Sequence, residues 1–187
     1  IRAYHEAGIS VVMDVVYNHI YSTEHGPFQN TVPDYYYRME PDGRFQNGTG
    51  VGNETASEHE MYRKYMIDSL THWVKEYQID GFRFDLMGIH DVRTMNAIRE
   101  AMDALDPRIL LYGEGWDMGT GLAPEDKAKK DNAAQLPRIG FFNDTERDAI
   151  KGAEVYGSIK RGFVSRKSTE YIVARAVLGS AELGNYL

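Results

Sequence analysis

The sequence predicts an α/β fold built on a parallel sheet, and three observations support that prediction. Strand-like and helix-like segments alternate along the chain, as parallel strands joined by right-handed crossovers require. The segment ISVVMDVVYN at 9–18 is a nearly continuous β-branched run, typical of a strand buried on both faces. With 187 residues, of which 42% are hydrophobic, the chain is long enough for one domain with a core. A doubly wound sheet and a (β/α)8 barrel both fit this pattern.

The first half of the chain continues with a long loop and a helix. Residues 20–56 are rich in Gly, Pro, Asn and Tyr and have no sustained period, so we expect a loop of functional importance. Its glycines, in NGTGVGN at 47–53, match no nucleotide-binding pattern and indicate turns. The segment 58–77 predicts an amphipathic helix. Its predicted apolar stripe consists of Met61, Tyr65, Ile67 or Asp68, Leu70, Trp73 and Val74.

The second half repeats the alternation of strand and helix. QIDGFRFDLM at 78–87 and RILLYGEGW at 108–116 read as the second and third strands. Between them, 92–107 predicts an amphipathic helix that ends at Pro107. The remaining predictions are a loop at about 117–138, a short fourth strand in IGFFND, a helix in TERDAIKGA with Asp144 or Thr145 as its N-cap, and a helix at 169–183.

Composition and charge exclude several classes of function. The net charge of −7 argues against a nucleic-acid partner, and the basic residues Lys160, Arg161, Arg166 and Lys167 are interpreted as a solvated loop. No apolar run approaches membrane-spanning length, and the absence of cysteine excludes disulfides and thiol chemistry. These features leave the compartment open between cytoplasmic and extracellular. Because the chain opens on what looks like the end of a helix, without Met, we expect it to be part of a longer protein.

Charged side chains collect at the carboxyl ends of the predicted strands. The first strand carries Asp14, the second carries Arg83 and Asp85, and the third ends at Glu114. Since successive side chains alternate across a strand, Arg83 and Asp85 share one face and the flanking phenylalanines share the other. Any one charge taken alone is equally well explained by a buried structural ion pair. Several converging carboxylates with an arginine and His19 favour an active site, and two carboxylates are the catalytic pair of glycoside hydrolysis.

The motifs DVVYNH, DGFRFD and YGEGW resemble, in this order, three of the four sequence regions of the α-amylase superfamily. The text around them, including TVPDYYYRMEPDGRFQNGTGVGNETASE, resembles type I pullulanases, which hydrolyse α-1,6 bonds. The resemblance covers essentially the whole chain. It implies part of a (β/α)8 TIM barrel, about strands 3 to 6, with residues 1–187 as the central portion of one catalytic domain.

The resemblance also implies roles for individual residues. Asp85 matches the nucleophile and Glu114 the general acid/base. Arg83 matches the arginine that orients the nucleophile, Asp14 the acid that braces it, and His19 a sugar-binding histidine. For three further residues two roles remain open. The Asn18 side chain could assist substrate binding or cap the turn at the end of the strand. The rings of Tyr17 and Trp116 could stack on sugars or pack in the core.

Two departures from the superfamily pattern limit what is expected. The third catalytic acid, in a His-Asp pair after the third region, has no match, because His90-Asp91 precedes Glu114 and reads as a helix cap or surface pair. The residues Gly88 and Ile89 replace a Lys-His pair of amylases, so we expect no metal or cofactor, with calcium as the alternative.

These observations predict hydrolysis of α-1,6-glucosidic bonds in pullulan, starch or glycogen branches with retention of configuration. The expected partners are the α-glucan substrate and the remaining strands of the full-length chain. We expect the 187 residues alone to be inactive. The alternatives are another superfamily hydrolase, such as an isoamylase or an α-1,4-acting amylase, and a non-catalytic superfamily scaffold.

Overall fold

The structure, a computed structural model, describes residues 1–152, 154–155, 158–165 and 172–174. Contacts between Cα atoms divide the chain into two compact units, Ile1–Phe141 and Phe142–Leu187. The assignment of all residues to one domain stays a prediction.

A four-stranded parallel sheet forms the centre of the first unit, with the strand order β1-β2-β3-β4. The strands are β1 Val12–Val15, β2 Gly81–Phe84, β3 Leu110–Gly113 and β4 Gly140–Phe141. Neighbours in the sheet are also neighbours in sequence, which is the arrangement expected of successive β-α units. The predicted parallel α/β architecture is therefore confirmed.

Helices of the first unit connect and cover these strands. They are α1 Arg2–Glu6, α2 Pro27–Thr31, α3 Glu60–Tyr77 and α4 Val92–Leu105, with 3-10 turns at Met87–Ile89 and Lys130–Gln135. None of the helices within the described part of the chain is long and apolar enough to cross a membrane.

The buried face of α3 includes Leu70 as predicted, with Ile67, Trp73 and Val74 packed against the core, but the predicted stripe was wrong by one position in the first turns of the helix. Tyr62, Met66 and Leu70 are almost completely buried, whereas Met61 and Tyr65 are among the exposed large apolar side chains. The spacing of four residues was predicted correctly, but two adjacent apolar rows, 61/65 and 62/66, competed for the buried face. In the buried row, the Tyr62 hydroxyl donates to the carbonyl oxygen of Tyr17 at 2.5 Å.

The second strand has the predicted division into two faces. Phe82 and Phe84 have no exposed surface and pack in the core with residues of α3 and α4, while Arg83 is only partly buried on the opposite face. The prediction for the first strand was wrong: β1 is not buried on both faces, because the Asp14 side chain is 66% exposed. In the sheet described here β1 is an edge strand, so one of its sides has no neighbour.

Apart from α2, the long loop at 20–56 has little regular structure, and two isolated β-bridges form within it. These bridges pair Tyr37 with Thr55 and Met39 with Phe45. Gly50 and Gly52 have φ of 79° and 104°, as the predicted turns require. Gly48 has another role: a Cβ there would lie 2.8 Å from the backbone nitrogen of Thr120, so glycine permits two loops to approach closely.

The second unit contains a helix, a hairpin and a 3-10 turn among its described residues: α5 Asp144–Lys151, β5 Glu154–Val155, β6 Ser158–Ile159 and Phe163–Ser165. The N-cap of α5 is Asn143, whose side chain accepts from the backbone of Glu146, rather than Asp144 or Thr145 as predicted. Lys160 and Arg161 are exposed. The helix predicted at 169–183 lies outside the described residues except for 172–174, and so do Arg166 and Lys167.

Candidate active site

One arginine connects the predicted catalytic carboxylates. Arg83 lies on β2, and the sheet register places it beside Asp14 of β1. Its Nη1 donates to Asp14 Oδ1 at 2.9 Å and to Asp85 Oδ1 at 3.0 Å, and its Nη2 donates to Glu114 Oε1 at 2.6 Å. Because parallel strands end at the same edge of the sheet, side chains at or just beyond three successive strands reach one guanidinium.

Asp85 is the first residue after β2 and is held at both carboxylate oxygens. Arg83 binds Oδ1, and the Asn18 side-chain amide donates to Oδ2 at 3.1 Å. The same amide donates to the Asp85 carbonyl oxygen at 2.7 Å. Asn18 thus fixes both the backbone and the side chain of Asp85, which leaves this carboxylate few alternative rotamers.

Glu114 is the first residue after β3 and is also held at both oxygens. Arg83 binds Oε1, and the backbone nitrogen of Leu86 donates to Oε2 at 3.0 Å. Leu86 has a φ of 41°, a left-handed conformation that is unusual for a residue with a side chain. Strain of this kind persists where the surroundings enforce it, and here it accompanies an N–H that binds a candidate catalytic group.

The site is partly open to solvent and carries an excess of negative charge. Side-chain exposure is 18% for Arg83, 28% for Asp85 and 20% for Glu114, so ligands can reach all three. Burial lowers the pKa of Arg83, but hydrogen bonds to Asp14 and Asp85 and the charge of Glu114 outweigh it and raise the pKa. The arginine therefore remains a permanent cation between three carboxylates.

His19 joins the site through Asn18. The His19 Nδ1 lies 2.5 Å from Asn18 Oδ1, while Asn18 is fully buried and binds Asp85 through its amide nitrogen. A chain of contacts therefore runs from the predicted sugar-binding histidine to the predicted nucleophile. Asn18 therefore contacts Asp85 directly, and its role in substrate binding stays a prediction.

The two aromatic residues predicted for the site have different positions. Tyr17 is 7% exposed, packs against Phe84, and donates from its hydroxyl to Ser69 Oγ at 2.9 Å. Burial raises the pKa of Tyr17 to about 12. These contacts correspond to the core-packing alternative for Tyr17.

Trp116 is half-buried and lies two residues after Glu114. Its carbonyl oxygen occupies the space that a side chain at position 88, which is Gly88, would need.

The His90-Asp91 pair is a helix cap, and the surface alternative is wrong. Asp91 is the N-cap of α4: its Oδ1 accepts from the backbone of Thr94 at 2.8 Å, and its Oδ2 accepts from the hydroxyl of Ser57 at 2.7 Å. His90 is completely buried, and burial lowers its pKa to about 3. This imidazole is therefore neutral and takes no part in the cluster of carboxylates.

A second charged cluster, which the sequence analysis did not predict, lies among the loops that follow β1, β2 and β3. Arg38 and Glu54 of the long loop are buried and form an ion pair at 3.0 Å, with Thr120 bound to both. The loop at 20–56 contains seven Asp, Glu and Arg residues, so the sequence carried no signal that singled out Arg38 and Glu54. Among the described residues, no group of three or more His, Asp or Glu is arranged to hold a metal ion.

No family model matches the chain. The pullulanase of Bacillus subtilis (strain 168) is 50% identical to it over 152 residues, which are 81% of this chain and 21% of that protein. Among solved structures, the pullulanase of Paenibacillus barengoltzii in complex with maltohexaose and α-cyclodextrin matches with a TM-score of 0.95 at 49% identity, covering 100% of this chain and 29% of that one. The pullulanase of Anoxybacillus sp. LM18-11 complexed with maltotetraose matches with a TM-score of 0.92 at 49% identity, covering 96% and 26%.

These matches establish the fold at the level of the catalytic barrel. The structural neighbours have a (β/α)8 catalytic domain, and the chain corresponds to part of it, as predicted. The chain spans less than a third of the length of each of these relatives.

Proposed function

Because this chain belongs to the pullulanase family, we propose that the protein hydrolyses α-1,6-glucosidic bonds in pullulan, starch or glycogen branches with retention of anomeric configuration. The observation that carries the proposal is the bridge formed by Arg83, which donates to Asp85 and Glu114 through different nitrogens. Two carboxylates that bind one guanidinium must face one site. This is the first requirement of a catalytic pair.

In the proposed reaction, Asp85 is the nucleophile. It attacks the anomeric carbon while Glu114, in its acid form, donates a proton to the departing glycosidic oxygen, and a covalent glycosyl-enzyme intermediate results. Glu114 then removes a proton from water, which attacks the same carbon and releases Asp85. Two inversions give net retention. A carboxyl separation of about 5–5.5 Å in the complex with substrate is expected for this mechanism.

The neighbours of Asp85 suit this role. Arg83 donates to one oxygen of the attacking carboxylate and Asn18 to the other, and together they restrict it to one orientation. Productive attack requires such an alignment at short range, since intramolecular reactions gain much of their rate from fixed geometry. Asp14 occupies the remaining side of Arg83, and the arginine is thereby held between three acceptors.

The α-glucan substrate is part of the proposal. The relatives from Paenibacillus barengoltzii and Anoxybacillus sp. LM18-11 were solved with maltooligosaccharides. Trp116 is half-buried two residues after Glu114, and His19 contacts Asn18, which binds Asp85. An α-1,4-acting amylase differs from this proposal in the bond it cleaves, and an isoamylase differs in the α-glucan it accepts. A non-catalytic scaffold has no need to retain Arg83, Asp85 and Glu114 together.

The test is to assay the full-length protein on pullulan and on amylose in parallel and to record the anomer released first by proton NMR. We expect reducing ends from pullulan, little from amylose, and the α-anomer before mutarotation. Preferential hydrolysis of amylose would support the α-1,4 alternative. Initial release of the β-anomer would contradict retention, and inactivity on both glucans would contradict the proposal and leave the isoamylase and the scaffold as the remaining alternatives.

A further inference from the structure

A buried ion pair lies in a loop, where charges are normally solvated. The side chains of Arg38 and Glu54 are 5% and 0% exposed, and both belong to the long loop between β1 and α3. Removing a charge from water costs several kcal/mol unless the protein supplies partners. A loop that only connected two elements would not need this pair, so its contacts indicate what it does.

The contacts of Arg38 reach three separate loops. Its Nη1 donates to Glu54 Oε1 in the loop after β1, to the carbonyl oxygen of Ile89 after β2 at 2.9 Å, and to Thr120 Oγ1 after β3 at 2.7 Å. The Thr120 hydroxyl donates in turn to Glu54 Oε1 at 2.5 Å. One guanidinium, one carboxylate and one hydroxyl therefore tie together the loops that follow three successive strands.

Two of these loops carry the catalytic pair of the proposed function. Ile89 ends the 3-10 turn that begins two residues after Asp85, and Thr120 lies six residues after Glu114. The loops also meet closer to the site, where the backbone nitrogen of Gly88 donates to the Glu114 carbonyl oxygen at 3.1 Å. The cluster is thus a second connection between the segments that position Asp85 and Glu114.

The loop after β1 is fitted closely against the loop after β3. The backbone nitrogen of Gly48 donates to Glu54 Oε2 at 2.5 Å, and a Cβ at Gly48 would meet Thr120 and Gly119. Nearby, the backbone nitrogen of Gly121 donates to Gln46 Oε1 at 3.0 Å. Thr120 lies in the same loop as Glu114. Because its neighbours in the loop after β1 are held by these contacts, a displacement of Thr120 also displaces the loop that carries Glu114.

Arg38 keeps its positive charge although it is buried. Burial lowers the pKa of Arg38, but hydrogen bonds and charges from Glu58 and Glu54 outweigh it and raise the pKa. Glu58 binds the guanidinium from its other side, at 2.7 Å from Nη2. The guanidinium that connects the loops therefore stays charged.

We propose that Arg38, Glu54 and Thr120 form a positioning cluster that fixes the separation of Asp85 and Glu114 and thereby acts on the chemical step. The inference rests on the proposed function, since it assigns the cluster to the same pair of carboxylates. Arg38 and Glu54 lie in the loop after β1 and neither is a catalytic residue. Their effect on the reaction passes through the backbone of the two other loops.

The test is Thr120→Val in the full-length protein, assayed on pullulan for kcat and KM. Valine keeps the shape of the side chain but removes the hydroxyl that accepts from Arg38 and donates to Glu54. We expect kcat per folded protein to fall on the order of tenfold, because small displacements of catalytic groups are costly. We expect KM to change by less than about twofold, because no group that binds substrate is removed.

Thr94→Val is the matched control. The Thr94 hydroxyl is also buried, accepts from an arginine nitrogen of Arg63 at 2.8 Å and donates to the carbonyl oxygen of Ser57 at 2.7 Å. It lies on α4 and does not connect the catalytic loops. Thr94→Val should lower the unfolding temperature as Thr120→Val does, yet leave kcat unchanged, and Thr120→Ser should restore kcat by restoring the hydroxyl.

The outcomes are separable. If wild-type protein is active and Thr120→Val keeps its kcat, or if Thr94→Val lowers kcat equally, the positioning role is wrong while the proposed function stands. A wild-type protein without activity on any α-glucan overturns both. If Thr120→Val does not fold, Thr120→Ala removes the same hydroxyl without placing a second methyl group against Arg38, and the same comparison of kcat decides.

Discussion

Arg83 donates to three carboxylates from two nitrogens, a geometry that depends on the planar fork of the guanidinium. A lysine in its place has the same charge but a single ammonium group at the end of a flexible stem. It cannot contact Asp85 and Glu114 with fixed directions at the same time. The organisation of the site therefore depends on the side chain's shape as well as on its charge.

Arg83→Lys in the full-length protein should consequently lower kcat/KM on pullulan by about 100-fold or more while the protein remains folded. Arg108→Lys is the control, since Arg108 makes a comparable pair with Asp106 but is 89% exposed and lies at the start of the segment leading into β3. Reducing-end assays and circular dichroism measure the two effects. A lysine variant with nearly normal activity would show that the bridge is not needed.

Among the helices and strands, the sequence predicted the structure best where a single pattern, such as the alternation of side chains along a strand, determined the outcome. The division of β2 into Phe82 and Phe84 on one face and Arg83 on the other followed from strand alternation alone. The convergence of Asp85 with Glu114 followed from the rule that parallel strands end at one edge, although their connection through Arg83 and Asn18 required coordinates.

The sequence was less informative where two local solutions have similar energies. The buried row of α3 and the N-cap of α5 were each displaced by one residue, because neighbouring apolar or polar side chains fit the same pattern. The cluster of Arg38, Glu54 and Thr120 was not predicted at all. Its members are 16 to 82 positions apart, and no local period connects them.

The N-cap of α4, Asp91, should make the stability of the fold depend on pH. Burial raises the pKa of Asp91, but hydrogen bonds from Ser57 and Thr94 outweigh it and hold the pKa below its ordinary value. The ionised cap therefore stabilises the fold above the unfolded-state pKa near about 3.9, and that stabilisation is lost as pH falls through the lower folded-state value.

Asp91→Ala should destabilise the protein by about 2 kcal/mol near neutral pH, since it removes the acceptor for both Thr94 and Ser57. Asp91→Asn keeps an acceptor but has no charge to lose, so its unfolding temperature should fall less steeply than wild type between about pH 4 and pH 2. Thermal unfolding followed by circular dichroism at several pH values checks this. Equal acid sensitivity in wild type and Asp91→Asn would contradict it.

On the scale of the whole molecule, the sheet in the described part of the chain is open, with β1 and β4 at its edges. Closed barrels avoid such edges by pairing every strand. The relatives are at least three times longer than this chain, and the third catalytic acid that the superfamily resemblance implies has no match within it.

Residues 1–187 expressed alone should therefore be inactive on pullulan under conditions in which the full-length protein releases reducing ends. A missing carboxylate removes stabilisation of the positive charge that develops in the transition state, and electrostatic stabilisation of this kind is among the largest catalytic contributions. Adding the isolated span to the assay of the full-length protein controls for inhibition. Hydrolysis by residues 1–187 at a rate near that of the full-length protein would contradict this reasoning.

The proposed nucleophile, Asp85, lies at the carboxyl end of β2. Asp80 precedes the same strand at its other end, where its side chain binds the backbone nitrogen of Val11 at 2.6 Å and His5 Nε2 at 2.8 Å. In (β/α)8 enzymes the carboxyl end carries catalysis and the amino end serves stability. Asp85→Asn and Asp80→Asn therefore make the same chemical change at the two ends of one strand.

The most direct measurement is the rate of pullulan hydrolysis by these two variants of the full-length protein, normalised to the folded fraction. Asp85→Asn should lose at least about three powers of ten in kcat, because an amide cannot form the glycosyl-enzyme intermediate. Asp80→Asn should keep a rate near that of wild type and show its effect only in thermal stability. Near-normal hydrolysis by Asp85→Asn, or an equal loss in both variants, would contradict the assignment of Asp85 as the nucleophile.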